Sequence, residues 1–128
     1  DLATTRSINT VHRPLSRRPD IRVHRQNVGS VAAADLSGEV VGRFIAGPPK
    51  GAADISGIVG PYGWRLEVET KSATAEDTAP QEAWGLMIRR MGGIYVHVRY
   101  QKKLSLTENV ARAVAAVVAE IERRKSAL

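Results

Sequence analysis

Asp54, Glu69 and Lys71 carry the chemistry that this chain most plainly offers. Between the two acids, Gly60-Pro61-Tyr62-Gly63 has the composition of a turn. It separates two runs rich in Ile, Val, Leu and Trp, the pattern of a hairpin. With those residues as the loop, Val59 pairs with Trp64 and every later pair keeps the same sum, so Asp54 falls opposite Glu69. Cross-strand neighbours have Cβ atoms about 4.5–5.5 Å apart, close enough for two carboxylates to share a divalent cation. Such a pair repels unless a positive charge lies between its members. Hard oxygen ligands of this kind suit Mg²⁺ or Mn²⁺.

The alternation on both sides of the loop supports that register. One face carries Ile55, Gly57, Val59, Trp64, Leu66 and Val68; the other carries Asp54, Ser56, Ile58, Arg65, Glu67, Glu69 and Lys71. A slip of one residue would mix the two sets. The strand pair is therefore expected to turn an apolar face inward and an acidic face, with a single Lys, outward. Upstream, Thr4–Leu15 has helical spacing spoiled in its last turn by Pro14. Ile21–Val28 suggests a strand, Gly29–Gly42 a hairpin or mobile loop, Val40–Ala46 a strand, and Gly47–Gly51 a tight loop feeding Asp54. Downstream, Ser72–Asp77 is a polar loop. Thr78–Met91 predicts a helix with Trp84, Met87, Ile88 and Met91 on one stripe, stopped by Gly92-Gly93. Ile94–Arg99 alternates as a strand. Thr107–Lys125 predicts a helix capped by Thr107, with Val110, Val114, Val117 and Ile121 along one face. The fold class that follows is α/β, a mixed central sheet flanked by helices.

A chain of 128 residues, 43% hydrophobic and 25% charged, suits one core. The absence of Cys excludes a disulfide framework and Cys-ligated zinc. No run approaches the ~18 apolar residues of a membrane helix, and no signal-peptide core opens the chain. A soluble cytoplasmic protein without a membrane partner is expected. An N-terminal Asp in place of Met suggests trimming or processing. The net charge of +6 is unevenly spread: six Arg stand against Asp1 and Asp20 in residues 1–30, with further clusters at Arg99, Lys102, Lys103 and at Arg123, Arg124, Lys125. Basic surfaces around an acidic pocket suit an enzyme that acts on a polyanion; solvated termini are the duller account. Aromatics at 5% argue against a base-stacking single-strand binder.

Each candidate has a plainer explanation. Asp54 could close a turn, and Glu69 with Lys71 could form a surface ion pair. Thr78 and Gln81 have the spacing of a capping box, which accounts for Gln81 as well as a site role does. Asn27 either caps a turn at Gly29 or contacts phosphate. His12, His24 and His97 lack ligand spacing, which leaves His97 at most a pocket-lining position.

Asp, a short hairpin and Glu-x-Lys resemble the core of the PD-(D/E)xK nuclease superfamily. The wider context resembles its VRR-NUC branch, the virus-type replication-repair nucleases, over roughly residues 21–100. The matching stretches are Arg25-Gln26-Asn27-Val28-Gly29, residues 43–58 around Gly47-Pro48-Pro49-Lys50-Gly51-Ala52-Ala53-Asp54, Leu66-Glu67-Val68-Glu69-Thr70-Lys71, and Ala79-Pro80-Gln81-Glu82-Ala83-Trp84. Gly92-Gly93 followed by Ile94-Tyr95-Val96 completes the set.

The resemblance implies a restriction-endonuclease-like core in one domain over 1–128, with the C-terminal helix over about 107–125. It implies a metal-dependent DNA endonuclease that hydrolyses phosphodiesters, selective for branched or junction DNA in phage or cellular replication and repair. Asp54, Glu69 and the carbonyl of Thr70 would bind Mg²⁺ or Mn²⁺. Lys71 would position water or neutralise developing charge, and Gln81 would be the family's helix Gln. The distance to Gln81 favours Glu69 over Glu67 as the site acid. Arg17, Arg18, Arg22, Arg25, Asn27 and Lys50 are expected to contact DNA. A homodimer is expected, joined through the C-terminal helix or the Gly29–Gly42 segment, in a bacterial or phage-infected cell. One departure stands out. Related nucleases usually carry a Glu on the first helix, and Leu2–Arg18 holds no acid; Asp1, Asp35 and Glu39 are distant substitutes. A weakened module that binds DNA or assembles without cleaving is therefore the alternative.

Overall fold

A computed structural model describes residues 10–26, 29–34, 40–46 and 51–128, with backbone alone for 29–34 and 40–46. Residues 10–16 form helix α1. Strands β1 (Ile21–Arg25), β2 (Gly29–Ala34), β3 (Val40–Ala46), β4 (Ile55–Val59) and β5 (Trp64–Ser72) follow. Helix α2 (Ala79–Arg90), strand β6 (Ile94–Tyr100) and helix α3 (Leu106–Ser126) complete the chain. The architecture is the expected mixed α/β one: a four-stranded sheet in the order β1-β4-β5-β6, flanked by helices. Strands β2 and β3 pair with each other in a separate sheet, so the described part of the Gly29–Gly42 segment adds one strand to the expected order. The proposed turn cap Asn27 and the loop residue Lys50 lie outside the described residues.

The central hairpin keeps the register expected from its alternation. Val59 faces Trp64, and the pairing runs without a slip to Ile55 opposite Val68. β1 pairs antiparallel with β4. β5 and β6 run parallel, which requires a crossover, and α2 supplies it. Every second residue of the sheet joins one apolar core: Ile21, Ile55, Val59, Leu66, Val68, Val96 and Val98 pack with Val11 and Leu15 of α1 and with Ala113, Val117 and Ile121 of α3. The opposite face meets α2 through a smaller cluster of Ala53, Ile88 and Tyr95, with Trp84 beside it.

Two helix expectations need correction. In α2 the buried residues are Gly85 and Ile88, whereas Met87 and Met91 are 37% and 80% exposed. The Tyr95 ring occupies the space against Gly85, where an added Cβ would lie 3.0 Å from it. The contact stripe therefore turns away from the two methionines. In α3 the cap is Ser105, whose hydroxyl and Glu108 form a reciprocal capping box. Thr107 lies inside the first turn because Ser105 already satisfies the free amides. The fully buried line is Asn109, Ala113, Val117 and Ile121, with Val110 and Val114 only partly covered. Asn109 lies inside because its amide bonds both the N–H and the carbonyl of Gln101 at 2.8 and 3.0 Å. Among the described residues no helix is long and apolar enough to cross a membrane.

Gly57 sets how closely β1 approaches the hairpin. A Cβ there would run into the Arg22 carbonyl and Val23, so Gly57→Ala must lift β1 from β4. The expected cost is about 1–3 kcal/mol, typical of overpacking, seen as a lower urea midpoint with an unchanged slope. An unchanged midpoint would show that the two strands separate without strain.

Candidate active site

The acids meet because three segments hold Asp54 in place. Its Oδ2 accepts the Thr70 amide at 2.8 Å, which continues the β4–β5 pairing by one side-chain step. On the other side, Gln26 donates its amide to the Asp54 carbonyl at 2.8 Å and its Nε2 to the Ala53 carbonyl at 3.2 Å. Ahead of it, Gly51 adopts φ +89° and packs on the backbone of Pro80 and Gln81, where a Cβ has no room. The loop that delivers Asp54 is thus seated on the first turn of α2.

The acidic face does not point outward as expected. Covered by α2, Glu67, Glu69 and Lys71 are only 0%, 4% and 8% exposed. Buried charges must find partners, and most of these do. Glu67 accepts from Arg65 Nε at 2.9 Å and from Trp84 Nε1 at 2.6 Å; its role is to tie α2 to the sheet. Lys71 Nζ donates to Gln81 Oε1 at 2.6 Å and to the Glu76 carbonyl at 3.2 Å, and pairs with Asp77 at 3.3 Å. Gln81 is the capping-box residue and also reaches the acids. Its Oε1 accepts the Thr78 amide at 2.9 Å and closes the capping box, while its Nε2 donates to Glu69 Oε1 at 3.4 Å.

Glu69 is the exception. Its Oε2 is buried without a hydrogen-bond partner. Burial, then the Asp54 charge and a hydrogen bond with Asp54, push its carboxyl up to about 8, with Lys71 opposing the rise. A buried acid of this kind needs either a proton or a cation. In an extended strand the N–H and C=O of one residue point to the same side, so the Thr70 carbonyl faces Asp54 as its amide does. Two carboxylates, one with an orphaned oxygen, and a backbone carbonyl form a donor set suited to a hard divalent ion. Among the described residues no group of three His, Asp or Glu side chains is placed to hold a metal ion.

Asp77, in a polar loop, joins the site without a signal in the sequence, and His97 takes the pocket-lining position left open for it. His97 lies opposite Glu69 in the parallel pairing and bonds Asp77 through Nε2 at 2.9 Å. Burial acts to raise the Asp77 carboxyl, but the hydrogen bond and charge of His97, and then Lys71, hold it below its ordinary value. Only the β5–β6 pairing brings this His to the acids, and no local spacing announces a parallel partner.

The Arg residues expected to touch DNA do not gather at the acid pair. Arg25 is exposed at the Ile55 end of β1, beside the Gln26 amide that holds Asp54. Arg17, Arg18 and Arg22 lie toward the other end, where β1 begins. Arg18 approaches Asp20 at 4.0 Å, and Arg22 Nη1 donates to the Ile21 and Arg18 carbonyls at 2.7 and 2.9 Å.

A raised Glu69 pKa makes the metal-free fold lose stability as pH rises. Between its ordinary value of 4.5 and about 8, the folded state keeps a proton that the unfolded chain has released. Stability should therefore fall across that window and level off above it, and Glu69→Gln should flatten the profile and raise the melting temperature at pH 8. A flat wild-type profile from thermal melts in EDTA would mean that the carboxyls are not coupled. Compared with known proteins, the chain matches no family model and no curated sequence.

Proposed function

We propose that the protein is a metal-dependent DNA endonuclease of the PD-(D/E)xK type, resembling the VRR-NUC branch. The observation that carries this reading is the unpartnered Glu69 oxygen beside Asp54, with Lys71 and Gln81 bonded to each other on the same buried face. Asp54, Glu69 and the Thr70 carbonyl would hold Mg²⁺ or Mn²⁺, which when bound supplies a Lewis acid for the phosphoryl oxygen and lowers the pKa of water. The chain's own residues do the rest. Gln26 and Gly51 fix where Asp54 stands, Gln81 orients Glu69, and Lys71 supplies a fixed positive charge beside the developing negative charge. Branched DNA is the proposed substrate and a homodimer the proposed assembly, since one small domain covers only part of a duplex.

A second reading, a module that binds DNA without cleaving it, is favoured by the lack of any acid from Leu2 to Arg18. Plasmid and branched-DNA assays with Mg²⁺, Mn²⁺ and EDTA separate the two. Cleavage that needs metal supports the enzyme; binding without cleavage supports the module.

Asp54→Asn and Glu69→Gln should each lower cleavage by about 100-fold or more, with DNA binding intact or tighter because less negative charge faces the phosphates. Wild-type rates in both variants would overturn the site assignment. Lys71→Ala should reduce the rate with little change in affinity. Neutralising Arg17, Arg18 and Arg22 should do the reverse, flattening the salt dependence by about 0.9 in log–log slope for each phosphate no longer neutralised. Identical phenotypes would make Lys71 another phosphate-binding residue, with no special part in the chemistry.

A further inference from the structure

β6 is one of the two edge strands of the central sheet, and its start is flanked by two helix ends. The last turn of α2 carries Arg89, and the last turn of α3 carries Arg123 and Arg124. Together with Gly93, Tyr95 and Glu120 these three guanidinium groups border a cavity of about 310 Å³. Two of them are held in place by aromatic rings. Arg89 lies 5.3 Å from the centre of the Tyr95 ring and donates to the Tyr95 carbonyl at 3.3 Å. Arg124 lies 4.5 Å over Trp64, which itself stacks on Tyr62 at 4.1 Å. A guanidinium resting on a ring keeps its in-plane N–H edge available for two parallel bonds to a phosphate.

Basic residues in the last turn of a helix are ordinary, because they complement the macrodipole. That accounts for their presence and not for their convergence: Arg90 and Lys125 occupy the same two turns and do not border the cavity. The two helix ends bring about half a negative charge each. Arg123 is paired with Glu120, so Arg89 and Arg124 are the cations that offset the helix ends and leave the cavity positive.

We infer that the β6 edge carries a phosphoryl-binding site, built by Arg89, Arg123 and Arg124 and separate from the acid pair. The ligand chemistry is a phosphate monoester or diester, supplied either by a nucleic-acid backbone or by a free phosphate compound. The nucleic-acid source rests on the nuclease reading and extends it. α2 starts at Gln81's turn beside the acids and ends at the cavity, and its 12 residues span about 18 Å. At about 3.4 Å of rise per nucleotide along one strand, a bound strand reaches from the acids to the cavity in about five nucleotides.

The test uses the full chain carrying Asp54→Asn and Glu69→Gln, in EDTA, so that cleavage plays no part. In that background R89Q with R123Q is compared with R90Q with K125Q, which removes the same charge from the same two helix turns. Affinity for a labelled duplex is read by anisotropy across a salt series, and inorganic phosphate is titrated while the Arg side-chain NMR signals are followed. R124K, which keeps the charge but loses the fork, serves as the third variant, and melting curves confirm that each variant folds. The first pair should weaken duplex binding by about tenfold relative to the matched control, with a salt slope lower by about 0.9 for each phosphate that the control still neutralises and this pair does not. If phosphate shifts the Arg89 and Arg124 signals while duplex affinity matches the control, the site is real and its ligand is a free phosphoryl compound. Equal duplex affinity in both pairs, with no phosphate-induced shift, would overturn the proposal. Failure of the nuclease reading appears separately, as wild-type chain that binds duplex and cleaves nothing in Mg²⁺ or Mn²⁺.

Discussion

The repulsion between two carboxylates enclosed beneath a helix is the constraint around which this fold is arranged. Burial and the Asp54 charge push the Glu69 carboxyl up to about 8, so at neutral pH the metal-free fold meets this repulsion by keeping a proton on Glu69. A fold does not keep such a pair by default. Asp54 is tied to the Thr70 amide, its backbone to Gln26, and its loop to α2 through Gly51. These contacts prevent the strand end from fraying, which would let the acids move apart into water. The opposite face of the same hairpin supplies the compensation, since Ile55, Val59, Leu66 and Val68 are fully buried against α1 and α3. One strand pair thus carries the stabilising core on one side and the destabilising site on the other.

Lys71 shows how tightly that site is organised. An ammonium has three donors, and here Gln81, the Glu76 carbonyl and Asp77 supply three acceptors. In this arrangement Lys71 has no donor left for a water molecule or a phosphate. It acts as a positive charge set at a fixed place, and contact with a reacting group requires it to exchange one partner. The loop 72–78 holds two of those partners, and His97 fixes Asp77 in turn. Chemistry at Lys71 is therefore linked to a loop whose sequence shows only polarity.

The legible part of the molecule is the part governed by period-two alternation. A turn composition and two alternating runs fix which residue faces which, because any slip would expose the core; Val59 opposite Trp64 follows from that alone. The same alternation identifies the face shared by Asp54, Glu69 and Lys71. It carries no information on what covers that face, so an acidic surface expected to meet solvent lies instead under α2. The rotation of α2 is hidden for a related reason. Spacing alone does not distinguish a Met stripe from one centred on Gly85 and Ile88, and the Tyr95 ring, from a strand later in the chain, decides between them. Asp77 and His97, about twenty residues apart, meet only through a parallel strand pairing. The α3 cap differs from these, because it is local: Ser105 and Glu108 carry the same capping signature as Thr78 and Gln81, and Thr107 competes with it only as a second hydroxyl two residues on.

Charge is only partly divided along the long axis of α2, because Arg25 and Arg99 stand at the acid end, beside Ile55 and the loop after β5. At the N-terminal end of α2 lie Asp54, Glu69 and Asp77, with Lys71 as their buried cation. Toward the hairpin turn lie Arg65, Arg89, Arg123 and Arg124, and near the start of β1 Arg18 and Arg22. Separated by about a helix length, more than the Debye length of about 8 Å at physiological salt, the two regions interfere little. On the proposed nuclease reading, each would meet a different part of one extended polyanion. The helix that covers the acids also sets that separation, so its Gln81 turn and its Arg89 turn are two ends of a single rigid spacer.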